Sequence, residues 1–318
     1  MGEFELIRRY FQRALTRPDV ILGVGDDCAL LRVPTGQELA VSLDLLVGGR
    51  HFLADADPEG VGYKALAVNL SDLAAMGAEP AWATLGLTLP AADEQWLRGF
   101  CHGFYTLAEQ HDVALVGGDT TRGPLAIAVQ VHGFVPPGQA LRRAGARPGD
   151  RILVTGTPGD AGLALRQTLG QTVVAAEHHD YLRRRLDRPT PRIAQGLALR
   201  GLASAAIDVS DGLAQDLGHI LAASGVGATL WLARLPLSAA LRAVPAELAW
   251  DCALSGGDDY ELCLTVSPER LERVLQEAAG WDCPLTEIGV IELEPGLRCL
   301  RPDGTLYRPE RVGYDHFA

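Results

Sequence analysis

The feature that most constrains this chain is a construction it repeats: a short apolar run ends in Gly, Ser or Asn, and an aspartate follows at once. It occurs six times, as Gly23-Val24-Gly25-Asp26-Asp27, Val41-Ser42-Leu43-Asp44, Asn69-Leu70-Ser71-Asp72, Gly117-Gly118-Asp119-Thr120, Asp208-Val209-Ser210-Asp211-Gly212 and Ser255-Gly256-Gly257-Asp258-Asp259. In α/β proteins ligands gather at the carboxyl ends of strands, and glycine there lets a backbone come close to a phosphate. Taken singly, each aspartate has an ordinary alternative as a helix cap or an Asx turn. Taken together, they ask for a mixed α/β fold whose strand ends carry one acidic site. Carboxylates gathered without partners repel and shift their pKa values upward unless a cation neutralises them. Magnesium suits that task, because it is a hard ion that shares oxygen ligands between carboxylates and nucleotide phosphates.

Composition narrows the partners. A net charge of -12 argues against nucleic acid, which calls for a basic stripe. Only one of the 28 basic residues is a lysine, Lys64, so any lysine-dependent phosphate chemistry rests on it. The cysteines, Cys28, Cys101, Cys252, Cys263, Cys283 and Cys299, form no C-x-x-C pair and read as reduced thiols, with Cys28 as a packing residue. The opening MGEFELIRRYFQRAL carries charges throughout and lacks the zones of a signal peptide. No uncharged apolar run approaches the ~18 residues of a membrane span. A cytoplasmic protein with no membrane partner is expected.

A length of 318 residues favours two domains. The stretch from Pro136-Pro137-Gly138 to Pro148-Gly149-Asp150 is rich in Gly, Pro and Arg and suits a connection, which divides the chain into 1–138 and 139–318. Before it, Phe4, Ile7, Tyr10, Phe11 and Leu15 stand at helical spacing. Strands are predicted at 20–24, 39–46, 113–116 and 125–135, with helices over 60–77 and 91–111. After it, the spacing predicts strands at 151–154, 205–209, 228–232 and 261–266, and a helix over 160–169. The turn Gly156-Thr157-Pro158-Gly159 could cradle an anion at the start of that helix, though such a short loop is more often structural. No G-x-x-x-x-G-K-[ST] loop and no protein-kinase catalytic loop occurs.

From about residue 20 onward the segments GVGDDCALL, SLDLLVGGRHF, GYKALAVNLSDLAAMGAEP, VGGDTTRG, RAGARPGD, IDVSDGL, SGGDDYELC and GYDHF follow in order. Together they resemble the thiamine-monophosphate kinase family, within the superfamily of aminoimidazole-ribonucleotide synthetase. The resemblance implies a two-domain α/β fold of the aminoimidazole-ribonucleotide synthetase type, with an N-terminal sheet domain used for homodimerisation and a C-terminal α/β domain. It implies ATP as co-substrate, thiamine monophosphate as acceptor and several Mg2+ ions at one site. The positions matching metal ligands are Asp27, Ser42, Asp44, Asp72, Asp119, Asp208 and Asp211, with Asp44, Asp119 and Asp211 expected to carry catalysis. Gly118, Asp119, Arg143 and Ser210 match nucleotide contacts, and His51, Asp258 and Tyr314 match contacts to the thiamine phosphate.

The chain departs from the family pattern at Leu43, where Thr is common, at Asp258, where Glu is commoner, and at Tyr314, where Trp is frequent. Three of the site positions also have a plainer reading. His51 could be a satisfied polar residue beside Gly48-Gly49, Arg143 a solvated linker charge, and Tyr314 an anchor for the final segment. Other ATP-using members of the superfamily are the nearest alternatives. A selenophosphate synthetase would carry a reactive Cys or selenocysteine with a catalytic Lys ahead of Gly23, and a hydrogenase-maturation relative would end in a reactive Cys. A regulatory module that binds Mg2+-ATP without turnover is the alternative outside enzymes.

Overall fold

Apolar and polar residues alternate strictly in Val41-Ser42-Leu43-Asp44-Leu45, and a strand with two unlike faces is the result. The computed structural model describes residues 2–14, 17–309, 311, 313 and 314. It divides into two compact units, Met1–Leu73 with Ala78–Gly138, and Ala74–Gly77 with Gln139–Ala318.

In the first unit a short helix, α1 (Glu3–Leu6), runs into a π-turn over Ile7–Phe11. A small antiparallel pair, β1 (Val20–Leu22) and β2 (Leu30–Leu31), follows. The main sheet has the order β3-β6-β4-β5 and is built from β3 (Glu38–Val47), β4 (Glu79–Leu89), β5 (Ala114–Arg122) and β6 (Ala126–Val135). Only the β4–β5 pair is parallel. Two helices accompany it, α2 (Pro58–Ala75) and α3 (Glu94–Gln110). Asp93 caps α3 by accepting the N–H groups of Gln95 and Trp96. Helix α2 is apolar nearly all round, with Ala65, Leu66, Ala67, Leu70 and Leu73 all but inaccessible, and Lys64 is buried along with them.

The second unit holds a sheet of order β13-β12-β9-β11-β7-β10-β8. Its strands are β7 (Arg151–Thr155), β8 (Ala205–Asp208), β9 (Gly227–Trp231), β10 (Leu262–Val266), β11 (Leu285–Glu292), β12 (Gly296–Leu300) and β13 (Leu306–Tyr307). Among these, β9 and β12 pair in parallel. The helices are α4 (Asp160–Thr168), α5 (His179–Asp187), α6 (Ile193–Ala198), α7 (Leu213–Ser224), α8 (Ala239–Arg242), α9 (Ala246–Ser255) and α10 (Pro268–Ala278). Ile152, Val154, Ile207, Leu217, Ile220, Leu230 and Cys263 form one core cluster, and Leu163, Leu182, Leu241 and Cys252 another.

The opening segment differs from the expected amphipathic helix. The π-turn shifts the inward face, so Leu6, Tyr10 and Phe11 are buried while Phe4 is exposed; Leu15 lies outside the described residues. Cys28 is exposed, not packed, and the other cysteines are buried thiols. Among the described residues no helix is long and apolar enough to cross a membrane.

Candidate functional site

Ser42 and Asp44 share one face of β3, and α2 meets that face with Asn69 and Asp72. Asn69 Oδ1 accepts the Asp44 N–H at 2.9 Å, and Ser42 Oγ donates to Asp72 Oδ2 at 2.5 Å. Asn69 is fixed in turn, since its Nδ2 donates to Ala65 O at 2.9 Å. The outcome is a half-buried set of oxygen donors contributed by one strand and one helix. Leu43 projects from the opposite face with Val41 and Leu45 and is 57% exposed. A Thr hydroxyl there would point away from Ser42 and Asp44, so the departure at this position leaves the oxygen set intact.

At the other edge of the sheet, Gly118 has φ 147° and a Cβ there would stand 1.9 Å from Leu85 O, so only glycine lets β5 close on β4. Asp119 follows it, exposed, beside a small pocket lined also by Ile7, Phe11, Val24 and Thr120. Val24 opens the loop to Asp27, whose N–H donates to Asp26 Oδ1 at 2.8 Å. Registered pairs put Asp44, Val129, Leu85 and Gly118 in one row across the sheet. Since β3 and β5 are its two edges, Asp44 and Gly118 are separated by three strand spacings, roughly 14 Å along the sheet. The first unit therefore gathers Ser42, Asp44 and Asp72 at one edge and Gly118 and Asp119 at the other. His51 accepts the Val47 N–H on Nδ1 at 2.9 Å, which puts the proton of a neutral ring on Nε2.

In the second unit Asp208 ends β8 and is buried, and the turn that follows carries Ser210 and Asp211. The Asp258 N–H donates to Ser210 O at 2.7 Å, and the Tyr314 N–H donates to Asp211 O at 3.1 Å. Gln215 Nε2 donates both to Asp211 Oδ2 at 3.1 Å and to Tyr314 O at 3.2 Å. Ser210, Asp211, Asp258 and Tyr314 thus form one cluster. Asp258 and Tyr260 both hold left-handed backbone, with φ 62° and 52°, and Tyr260 OH donates to Asp258 Oδ1 at 3.0 Å. Arg143 is exposed beside the edge of β8, where Arg142 O accepts the Ala206 N–H at 2.9 Å. Of the GYDHF segment only Gly313 and Tyr314 are described. Among the described residues no three His, Cys, Asp or Glu side chains are grouped so as to hold a metal ion by themselves.

The supporting residues were not legible in the sequence. Asp216 is buried, and its Oδ2 accepts the N–H groups of Ser210, Asp211 and Gly212 at 3.0, 3.1 and 3.1 Å. Burial pushes its carboxyl up to about 7, against those donors and with help from the charge on Asp211. The Gly156–Gly159 turn is used structurally: its Gly159 N–H is taken by a carboxyl of the protein itself, Asp259 Oδ2, at 2.7 Å. Complete burial raises the Asp259 carboxyl well above its ordinary value; Arg185 opposes this, and the charges of Asp160 and Glu261 add to it. Burial alone would also raise Glu261, yet Arg192, bidentate at 2.6 and 2.7 Å, together with Arg185 holds it below its ordinary value. The only signal for these residues was their position, five beyond Asp211 for Asp216 and directly after Asp258 for Asp259.

Residues 25–135 match AIR synthase related protein, N-terminal domain, and residues 147–300 match AIR synthase related protein, C-terminal domain. A thiamine-monophosphate kinase of Escherichia coli (strain K12) is 56% identical over 322 residues, covering 100% of this chain and 98% of that protein. The crystal structure of thiamine-monophosphate kinase from Stenotrophomonas maltophilia K279a superposes with a TM-score of 0.88 at 49% identity, covering 96% of this chain and 98% of that one. AaThiL complexed with AMPPCP and TMP superposes with a TM-score of 0.77 at 33% identity, covering 90% and 89%.

Proposed function

The chain belongs to the thiamine-monophosphate kinase family, and on that premise we propose that it transfers a phosphoryl group from ATP to thiamine monophosphate, giving ADP and thiamine diphosphate. The observation that carries this reading is the match to a kinase of that name over the full length of this chain, at 56% identity. The reaction is the last step in making thiamine diphosphate and takes place in the cytoplasm.

The acceptor is itself a phosphate, and its second pKa near 6 leaves the attacking oxygen anionic at neutral pH. No general base is then required. The obstacle is bringing two anions into line, which calls for positioning and neutralisation of charge. Direct in-line transfer meets both needs.

The residues fit magnesium, since Ser42, Asp44 and Asp72 offer oxygen alone and Mg2+ usually keeps water and phosphate oxygens beside one or two carboxylates. Asp27, Ser42, Asp44, Asp72, Asp119, Asp208 and Asp211 would hold several ions, which when bound neutralise the phosphates. Gly118, Asp119, Arg143 and Ser210 hold the nucleotide. His51 offers its Nε2 proton to the acceptor phosphate, Asp258 complements the positive charge of thiamine, and the exposed ring of Tyr314 stacks on it. Residues 1–138 supply nucleotide, metal and dimer contacts, and residues 139–318 complete the catalytic set.

The homodimer is part of this reading. Leu39, Val41, Leu43 and Leu45 line one face of edge strand β3, each 43% to 57% exposed, and a second copy would cover that stripe. The test of the reaction is ADP release in Mg2+-ATP with and without thiamine monophosphate: release must depend on the acceptor. Incubation with γ-labelled ATP alone should leave the protein unlabelled, and a labelled enzyme would contradict direct transfer.

A further inference from the structure

We propose that Asp216 is a positioning residue that sets the Ser210–Gly212 turn, and through it the Asp258 and Tyr314 segments, for the reaction. The inference rests on the roles given above to Ser210, Asp211, Asp258 and Tyr314.

The turn is held from both sides of its backbone. Its N–H groups point inward: those of Ser210, Asp211 and Gly212 all donate to one oxygen, Oδ2 of Asp216, at 3.0 to 3.1 Å. Consecutive N–H groups converging in this way form an anion-binding nest, here filled by the protein's own carboxylate. Its carbonyl groups point the other way and accept from the elements around it, Ser210 O from the Asp258 N–H and Asp211 O from the Tyr314 N–H. Asp216 also lies in the first turn of α7, where its own N–H donates to Gly212 O at 3.0 Å and the helix dipole favours a carboxylate. Without it, three buried or half-buried donors would lose their common acceptor. The turn would then choose another backbone path, carrying the Ser210 and Asp211 side chains and their two neighbours with it.

The test compares Asp216→Leu, similar in size but unable to accept, with Asp216→Asn, which keeps one amide oxygen. Hydrogen exchange is read on the protein without substrate, and kcat and KM are read for thiamine diphosphate formation. In Asp216→Leu the amides of 210–212 should exchange faster while those of β7 and β10 keep their protection. Its kcat should fall about 10²-fold with a rise in KM for thiamine monophosphate, the loss expected when a reacting geometry shifts by about 1 Å. Asp216→Asn should recover to within about tenfold of the wild type on both readouts. A folded Asp216→Leu with wild-type exchange and kinetics overturns the proposal. If Asp216→Leu loses protection throughout the unit, Asp216→Ala, smaller and equally unable to accept, decides: faster exchange confined to 210–212 with a lowered kcat supports the role, and wild-type values for both overturn it. Should the wild type itself form no thiamine diphosphate, the proposed reaction fails, while the exchange comparison still tests the turn.

Discussion

Single atoms decide several positions in this protein. A Cβ on Gly118 would meet a main-chain oxygen of the neighbouring strand, and φ there lies where side chains are strained. Gly118→Ala should therefore lower stability by about 1–3 kcal/mol, measured by urea denaturation, and weaken ATP binding. Asp259 and Glu261 make opposite contributions to the pH profile. The Asp259 carboxyl is raised, so its contribution is complete below the ordinary aspartate range and is lost as pH rises toward the folded value. The Glu261 carboxyl is lowered, so its contribution is present above the ordinary glutamate range and is lost as pH falls through the folded value. Asp259→Asn should remove the first slope: as pH rises from the ordinary aspartate range, the melting temperature should fall less than in the wild type. At this scale the sequence announced most of the site aspartates, because Asp72, Asp119, Asp211 and Asp258 each follow a glycine or serine directly. It did not announce Asp216, Asp259 or Glu261, because a buried acid held by backbone N–H groups or by arginines has the same spelling as a solvated one.

The elements show the same division. Strand β3 was legible as a short apolar run bounded by Asp and Gly, and α2 from its helical character, and those two elements carry Ser42, Asp44 and Asp72. Strand β4, which lies inside the first sheet between β6 and β5, was missed. It begins Glu79-Pro80 directly after the α2 turn and contains Gly86 and the small Ala81 and Ala83 among its apolar residues, so breakers masked the alternation of Leu85, Leu87 and Leu89. Strand β11 was missed for a like reason, since Gly289 interrupts it where a Cβ would meet Thr229 O at 2.4 Å. Between elements, the Arg192–Glu261 pair ties the chain just before α6 to the residue before β10. Both partners are buried, so removing one leaves the other charge without compensation. Arg192→Ala should cost about 3–5 kcal/mol in denaturation, far more than a surface pair would.

At the scale of the whole molecule, the acidic chain and its oxygen-rich strand ends suit a partner that is itself anionic and arrives with cations. The apolar stripe on β3 gives a separate prediction. On the proposed dimer, light scattering should find a dimer for the wild type and a folded monomer for Leu43→Arg, on the face away from Ser42 and Asp44; a monomeric wild type would contradict the dimer, and a variant that stays dimeric would place the interface elsewhere. The measurement that tests the account most directly is product formation: purified protein, Mg2+-ATP and thiamine monophosphate, with thiamine diphosphate followed by chromatography. The account predicts thiamine diphosphate in step with ADP, and a loss of about 10²–10³-fold in Asp44→Asn and in Asp211→Asn, each of which removes a charge from the proposed metal set. ADP released without thiamine diphosphate, or full activity in both variants, would contradict it.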